Sequence, residues 1–267
     1  MTNSYCNRMK LEIASKTFWR DIFAEFLATF LLLACICAIS LNFEKDTKST
    51  PLECGLIVGL AVAFLVESFG HLGGAHLNPA VTFSFVLFKN ITILKGICYT
   101  FSQCMGAVAG SFFIRFMTPI EKIGNLGATV PAVDVPTWKA LIVEMWVTGQ
   151  LVFVILASTD DHRRKVRMPA LPVGFSVTVG ILTGWNYSGG SLNPARTLGP
   201  AVVRGIWESH WIYWLGPIGG SGLATVFYRF LLRKAVNTPE VDESGMRSNI
   251  PEIEPLKRDL NKSELDD

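Results

Sequence analysis

The chain contains the triplet Asn-Pro-Ala twice, each time shortly after a Gly-Gly pair. The triplets are Asn78-Pro79-Ala80 in "GGAHLNPAV" and Asn193-Pro194-Ala195 in "GGSLNPARTLGPAV". Asparagine is a favoured helix N-cap and proline is favoured at the first helical position, so each triplet is expected to start a helix. An asparagine whose oxygen caps a helix still has an amide N–H₂ that can donate to a passing molecule. These residues therefore indicate hydrogen bonding to a neutral polar solute rather than bond-making chemistry.

Two further sets of polar groups accompany the triplets. Glu25 and Glu144 lie inside apolar runs. A carboxylate at membrane depth is costly, so we expect each one to accept hydrogen bonds from the loop before a triplet. The glycines of those loops allow an extended approach whose carbonyls can point into a cavity. The expected acceptors are the carbonyls of Gly74, Ala75, His76, Gly189, Gly190 and Ser191.

Composition indicates a membrane protein. Half of the residues are hydrophobic and only 17% are charged, against about 25% in ordinary soluble domains. Six apolar runs are long enough, or nearly so, to cross a bilayer as helices, and two more are half as long. The six lie at about 20–43, 52–70, 95–117, 138–158, 169–185 and 209–232, and the short ones at about 79–88 and 194–205.

The two halves of the chain match in order. Each contains a glutamate-bearing first span, two more spans and one half-length helix that starts at an Asn-Pro-Ala. Because three spans is an odd number, the second half enters the membrane from the opposite side, which makes an inverted repeat. The two half-helices would then meet N-terminus to N-terminus at the midplane. Their positive ends would admit neutral molecules with an oxygen lone pair and oppose cations and protons.

Several classes of function are disfavoured by the residues. A net charge of +2 does not suggest a nucleic-acid partner. The six cysteines show no paired metal-ligand spacing, and there is no nucleophile–base motif or phosphate loop. We therefore expect no metal, no cofactor and no enzymatic activity.

The segments "GHLGGAHLNPAV", "GGSLNPARTLGPAVV" and "HWIYWLGP" resemble the aquaporin (major intrinsic protein) family. The resemblance implies an all-α membrane protein of six transmembrane helices plus two re-entrant half-helices, with a pore in each protomer of a homotetramer. It also implies that Tyr99 and Gln103 support the first loop, and that Tyr187 supports the second.

The resemblance and the charge pattern together suggest a domain organisation. Residues 1–18 would be a cytoplasmic segment and 19–234 the channel domain, with repeats at about 19–117 and 138–234. The acidic 235–267 would be a disordered cytoplasmic tail. Lys and Arg cluster in the segments that would put both termini in the cytoplasm. Plasma membrane is the default location.

The family's selectivity filter carries over to Val58, Ile181, Gly190 and Arg196. In water-selective members the first position is usually aromatic and the second is often His, so the resemblance implies a wider and more apolar filter here. Thr197 stands where glycerol-conducting members usually have Asp, which favours the water-channel branch. The expected function is passive water passage, with ammonia, urea, hydrogen peroxide or glycerol as further candidate solutes.

Two alternatives are also compatible with the sequence. Inverted repeats and broken helices are also found in ion-coupled secondary transporters, for which Glu25 and Glu144 are the candidate coupling sites. A junctional membrane protein with little conductance is the third hypothesis, although the external loops are short for that role.

Overall fold

A computed structural model describes residues 9–41, 43, 49–160 and 168–232 of the 267-residue chain. All regular structure within these ranges is helical. After a helical stretch at 9–14, the α-helices are α1 Lys16–Ile39, α2 Pro51–Gly73, α3 Pro79–Leu87, α4 Ile93–Met117, α5 Thr137–Thr159, α6 Ala170–Ser188, α7 Pro194–Arg204 and α8 Ile212–Phe227. The predicted tail 235–267 lies outside the described residues, so the domain boundaries stay predictions.

The predicted apolar runs coincide with these helices. The six longer runs correspond to α1, α2, α4, α5, α6 and α8, and the two half-length runs correspond to α3 and α7. Four helices, α1, α2, α4 and α5, are long and apolar enough by themselves to cross a membrane. The helix α6 ends in the polar sequence "NYS", and α8 has only 16 residues before a π-helical turn, Tyr228–Leu232.

Local sequence explains where the helices begin. Thr50 and Glu53 form a capping box at the start of α2: the hydroxyl of Thr50 accepts from the backbone N–H of Glu53, and the Glu53 carboxylate accepts from the backbone N–H of Thr50. Pro51 occupies the first turn, where no backbone N–H is needed. Thr92 caps α4 in the same way, by accepting from the backbone N–H of Lys95.

The two halves of the chain interlock through the short helices. Long-helix pairs α1–α4 and α5–α8 pack within each half, and α2 packs against α6 between the halves. The half-helix α3 contacts α8 of the other half, where Ser221 Oγ donates to the carbonyl of Ala80 over 2.6 Å. The half-helix α7 packs against α4, and Gly199 faces the carbonyl of Ala107. Each short helix is therefore held by a long helix from the opposite repeat.

The distribution of polarity fits a bilayer. Glu25, Gln103 and Glu144 are at most 1% exposed, while many large apolar side chains lie on the outside of the bundle. Among the exposed apolar residues are Trp19, Phe23, Phe101, Phe112, Ile142, Trp146, Phe175 and Leu223. The chain is an integral membrane protein whose polar interior surrounds the half-helix starts.

Candidate functional site

Each Asn-Pro-Ala triplet starts a half-helix with the cap that the sequence predicts. Asn78 Oδ1 accepts from the backbone N–H of Ala80 over 2.9 Å at the start of α3. Asn193 Oδ1 accepts from Ala195 and Arg196 over 3.0 and 3.3 Å at the start of α7. Backbone donors that would otherwise be unpaired in an apolar interior are thereby satisfied.

The two helix starts meet through their capping residues. Asn78 Nδ2 donates to the carbonyl of Leu192, and Asn193 Nδ2 donates to the carbonyl of Leu77, each over 2.8 Å. These reciprocal bonds join loops more than a hundred residues apart in the chain. Each N–H₂ thus has one N–H engaged by the opposite loop and one N–H left for another acceptor.

The loops before the triplets share an unusual backbone conformation. Gly74 and Gly189 have φ values of 103° and 83°, and Leu77 and Leu192 have φ values of 57° and 58°. Left-handed φ is unfavourable for leucine, so surrounding contacts must hold these two residues in place. The two buried glutamates supply those contacts.

Glu25 holds the first loop. Its Oε1 accepts from the backbone N–H of His76 over 2.7 Å, and its Oε2 accepts from that of Leu77 over 2.9 Å. Gln103 Nε2 also donates to Oε2, over 2.8 Å. Every one of these partners is a donor, so a buried carboxylate is fully matched here.

Glu144 holds the second loop in the corresponding way. Its Oε1 accepts from the backbone N–H of Ser191 over 2.8 Å, and its Oε2 accepts from that of Leu192 over 2.9 Å. The Ser188 hydroxyl donates to Oε1 over 2.6 Å and stands where Gln103 stands in the first half. The internal repeat thus extends from the helices to individual hydrogen bonds.

The tyrosine assigned to the second loop needs correction. Tyr99 OH donates to the carbonyl of Gly73 over 3.0 Å in the first loop. In the second loop the equivalent donor is Tyr213, whose OH bonds to the carbonyl of Ser188 over 2.6 Å. Tyr187 is 47% exposed, because α6 remains helical through Ser188 and turns the Tyr187 side chain outward. The repeat spacing could have identified Tyr213, which follows Asn193 by 20 residues as Tyr99 follows Asn78 by 21.

The predicted carbonyl acceptors are free within the described part of the chain. The carbonyls on either side of each predicted group do accept hydrogen bonds from side chains. They belong to Gly73, Leu77, Ser188 and Leu192. No described residue donates to the carbonyls between these positions, which belong to Gly74, Ala75, His76, Gly189, Gly190 and Ser191.

Two cavities follow the loops and meet at the predicted filter. One, of about 430 Å³, contains Asn78 and Asn193 in its wall and extends to Thr159 at the end of α5. The other, of about 460 Å³, extends to Ser49 at the opposite end of the bundle. Together they line a route that passes both half-helix starts. The walls of both cavities include Ile36, Val58, Ile181 and Arg196.

The four predicted filter residues come together at the junction of the cavities. Val58 and Ile181 are 7% and 5% exposed, and Arg196 Nη1 donates to the carbonyl of Gly127. Gly190 lines the second cavity, and a Cβ at this position would lie 2.9 Å from Ile181 Cα, so the loop closely approaches α6. Ile36 adds an apolar neighbour that sequence reasoning did not identify.

The arrangement offers hydrogen bonds to a small molecule in the cavities. One side of the junction is polar, from the Arg196 guanidinium, and the other is apolar, from Ile36, Val58 and Ile181. Within the described ranges no three His, Cys, Asp or Glu side chains come together as a metal site would require. His162 lies outside those ranges.

Comparisons with known proteins agree with this geometry. A family model described as Major intrinsic protein matches residues 12–228. Aquaporin-4 of Rattus norvegicus and of Homo sapiens are each 40% identical over 235 residues, covering 85% of this chain and 73% of the relative. Lens fiber major intrinsic protein of Oryctolagus cuniculus is 42% identical over 222 residues, covering 83% and 84%. The X-ray structure of the aquaglyceroporin from Plasmodium falciparum matches with a TM-score of 0.73 at 26% identity, covering 80% of this chain and 96% of that one.

Proposed function

The chain belongs to the major intrinsic protein family, the aquaporins, and we propose that it is a passive channel that passes water and small neutral solutes while excluding ions and protons. Members of this family are channels rather than enzymes, which agrees with the absence of a catalytic motif in the sequence. One observation carries the proposal: the two cavities reach opposite ends of the bundle and share the walls of one junction.

The chemistry of the route supports solute transfer by hydrogen-bond exchange. A water or solute molecule that leaves bulk water loses hydrogen bonds, and each unreplaced bond would raise the barrier. The unpaired loop carbonyls can accept bonds along the route. The remaining N–H groups of Asn78 and Asn193 can donate at its centre. Arg196 adds further donors at the junction.

The junction supports a solute range wider than water alone. Its apolar wall, formed by Val58 and Ile181, offers no hydrogen bonds to a solute, so Arg196 is the main donor there. These two side chains also leave space that a larger aromatic residue at position 58 and a histidine at position 181 would fill. Solutes that present polar groups on one side and C–H groups on the other fit such a surface. We propose water together with ammonia, urea, hydrogen peroxide or glycerol as the molecules to test.

The ion-coupled transporter alternative is not favoured. It would need Glu25 or Glu144 to bind and release a cation. Both carboxylates are almost completely buried, each accepts three hydrogen bonds, and neither contributes to the wall of the two cavities. Their contacts are those of groups that fix loop shape. The segment between α4 and α5, residues 118–136, gives no specific support to a junctional role either.

Assembly and orientation complete the proposal. Family membership supports a homotetramer in which each protomer has its own route. The excess of Lys and Arg before α1 and around the connection between α3 and α4 supports a cytoplasmic location for both termini. Plasma membrane remains the proposed location.

The solute range is tested by narrowing the junction. Purified protein in liposomes is exposed to osmotic steps of sucrose, glycerol and urea, and volume changes are followed by stopped-flow light scattering. We expect the double variant Val58→Phe with Ile181→His to keep water flux and to lose glycerol and urea flux by roughly tenfold or more, an increase of about 1.4 kcal/mol in the barrier. Val226→Phe, at an exposed position on α8, is the matched control for adding a ring elsewhere. Unchanged glycerol and urea flux in the double variant would refute the wide junction.

A further inference from the structure

A chain of buried hydrogen bonds connects Glu25 to the ring of His76. Gln103 Nε2 donates to Glu25 Oε2 over 2.8 Å and to Thr82 Oγ1 over 2.9 Å. Thr82 Oγ1 lies 3.1 Å from His76 Nδ1. Thr82 and Gln103 are at most 1% exposed, and His76 is 6% exposed. Water therefore has little access to this series of hydrogen bonds, and its donors and acceptors must pair with one another.

The direction of the first two bonds is fixed by Glu25. Turning the Gln103 amide over would place its oxygen against a carboxylate oxygen that already accepts from Leu77. That contact is repulsive, so the amide nitrogen faces Glu25 and Thr82. The amide oxygen consequently has no partner among the described residues. Thr82 Oγ1 is thus an acceptor of one N–H from Gln103.

The hydroxyl proton of Thr82 then has one available acceptor. Among the described residues, the contacts of Thr82 Oγ1 are Gln103 Nε2, which donates, and His76 Nδ1. If Nδ1 carried a proton, Thr82 would accept twice and its own buried O–H would be unpaired, at the cost of a lost hydrogen bond. The Thr82 O–H therefore donates to an unprotonated Nδ1, and the proton of the neutral imidazole is on Nε2.

The ring is held so that Nε2 lies on the side of the route. The ring centroids of Phe85 and Tyr99 lie 4.4 and 5.3 Å from that of His76. A Cβ on Gly74 would lie 3.1 Å from His76 Nε2, so this edge of the ring faces Gly74. Both Gly74 and His76 line the cavity that contains the two asparagines.

We propose that Thr82 and Gln103 are positioning residues that fix one tautomer of His76, so that its Nε2–H is a fixed donor to solutes in the asparagine-lined cavity. The inference rests on the proposed channel function and adds one polar group to it. This N–H lies beside Gly74, the first residue of the carbonyl row, in the same cavity as the asparagine pair. Tautomer and ring orientation together decide whether that donor exists.

The second loop, as far as the described residues show, has no equivalent ring N–H donor. Ser191 stands where His76 stands, and its hydroxyl lies 2.5 Å from that of Thr197, the counterpart of Thr82. Thr197 also pairs with Thr129 over 2.7 Å, and Ser191 donates to the carbonyl of Asn193. These hydroxyls are occupied with one another. The two loops therefore differ in the side-chain donors they offer although they match in shape.

The tautomer can be read directly by nitrogen NMR. The protein is labelled with ¹⁵N-histidine and measured in liposomes, and His76, one of four histidines, is assigned by the signal that disappears in His76→Gln. We expect His76 to show a protonated Nε2 and an unprotonated, hydrogen-bonded Nδ1. Thr82→Val should move the Nδ1 signal towards that of a free unprotonated nitrogen. Thr82→Ser, which keeps the hydroxyl, should leave the signal in place.

Flux through the same preparations links the tautomer to transport. Loss of one neutral hydrogen bond predicts that Thr82→Val lowers water permeability by about twofold to tenfold relative to Thr82→Ser. A protonated Nδ1 in the wild-type protein would overturn the inference, as would an Nδ1 signal or a permeability that Thr82→Val leaves unchanged. Wild-type liposomes that are no more permeable to water than empty ones would instead contradict the channel function, whatever tautomer is found.

Discussion

At the scale of single residues, the shape of the route depends on two buried carboxylates. Each glutamate pairs with two successive backbone N–H groups of a loop, and the second of these belongs to a leucine in left-handed conformation. Leucine does not adopt that conformation readily by itself. The charge-assisted bonds therefore offset the backbone strain, and the loop carbonyls keep their direction because the N–H groups are fixed.

Replacing Glu144 by glutamine tests this dependence. Three donors converge on the carboxylate, from Ser188, Ser191 and Leu192. Glutamine supplies one acceptor oxygen and turns an N–H₂ towards donors, so at least one buried N–H becomes unpaired. We expect Glu144→Gln to destabilise the fold by about 2–3 kcal/mol and to reduce water permeability. Thermal unfolding in detergent and light scattering with proteoliposomes measure the two effects.

Glu121→Gln is the control for this experiment, because Glu121 is exposed at the short 3₁₀ helix between α4 and α5. It should change neither quantity measurably. If Glu144→Gln also left the unfolding temperature and the permeability unaltered, the second loop would have to be held by something other than the carboxylate.

Some of these residue-level features could be predicted from the sequence and others could not. The Asn caps follow from local rules, and buried glutamates in apolar runs must find donors. The reciprocal bonds from Asn78 to Leu192 and from Asn193 to Leu77 could not, because they depend on how two distant loops meet. Ser188 was missed because the exact end of α6 decides which residue faces inward, and helix ends are the least certain part of a helix. Tyr213 could have been found from the repeat spacing.

At the scale of elements, glycines bring two helices together in each half of the chain. Gly106 of α4 faces the carbonyl of Phe26 on α1, and Gly220 of α8 faces the carbonyl of Met145 on α5. Phe26 and Met145 each follow one of the buried glutamates directly. The close approach therefore occurs at the level of the loops, where it sets the position of the carboxylates.

A side chain at Gly220 should separate α5 from α8. A Cβ there would lie 2.0 Å from the backbone oxygen of Met145, which cannot move without its helix. Overpacking of this kind costs about 1–3 kcal/mol, so Gly220→Ala should lower the unfolding temperature. Gly70→Ala is the matched control, since a Cβ at Gly70 meets nothing within 4 Å. An equal or higher unfolding temperature for Gly220→Ala would mean that this contact does not limit the packing.

The elements themselves were more predictable than their contacts. Apolar length locates the six long helices, and Asn-Pro locates the starts of α3 and α7. The packing of α3 on α8 and of α7 on α4 has no local signal in the sequence. The residues that meet, Ser221 with Ala80 and Gly199 with Ala107, lie in different halves of the chain. Similarly, α6 is less apolar than an isolated span requires, and α8, with 16 residues, is shorter than one.

At the scale of the whole molecule, the inverted repeat places two helix N-termini against each other inside the bundle. Each terminus carries roughly half a positive charge. A neutral molecule can still accept hydrogen bonds there, but a cation would lose hydration and meet like charge at the same point. The guanidinium of Arg196 adds a full positive charge at the junction of the cavities. The proposed exclusion of ions would thus follow from topology as well as from one side chain.

This electrostatic arrangement predicts water flux without current. In proteoliposomes under an imposed potassium diffusion potential, a pH-sensitive dye should report no more proton entry than in protein-free liposomes. Water flux should be proportional to the osmotic gradient and independent of any sodium or proton gradient, because Glu25 and Glu144 are engaged by loop donors and do not line the route. Gramicidin added to the same vesicles gives the positive control for proton entry. Proton entry that scales with the amount of protein would contradict the barrier at the facing helix ends, and solute uptake that follows an ion gradient would favour the transporter hypothesis instead.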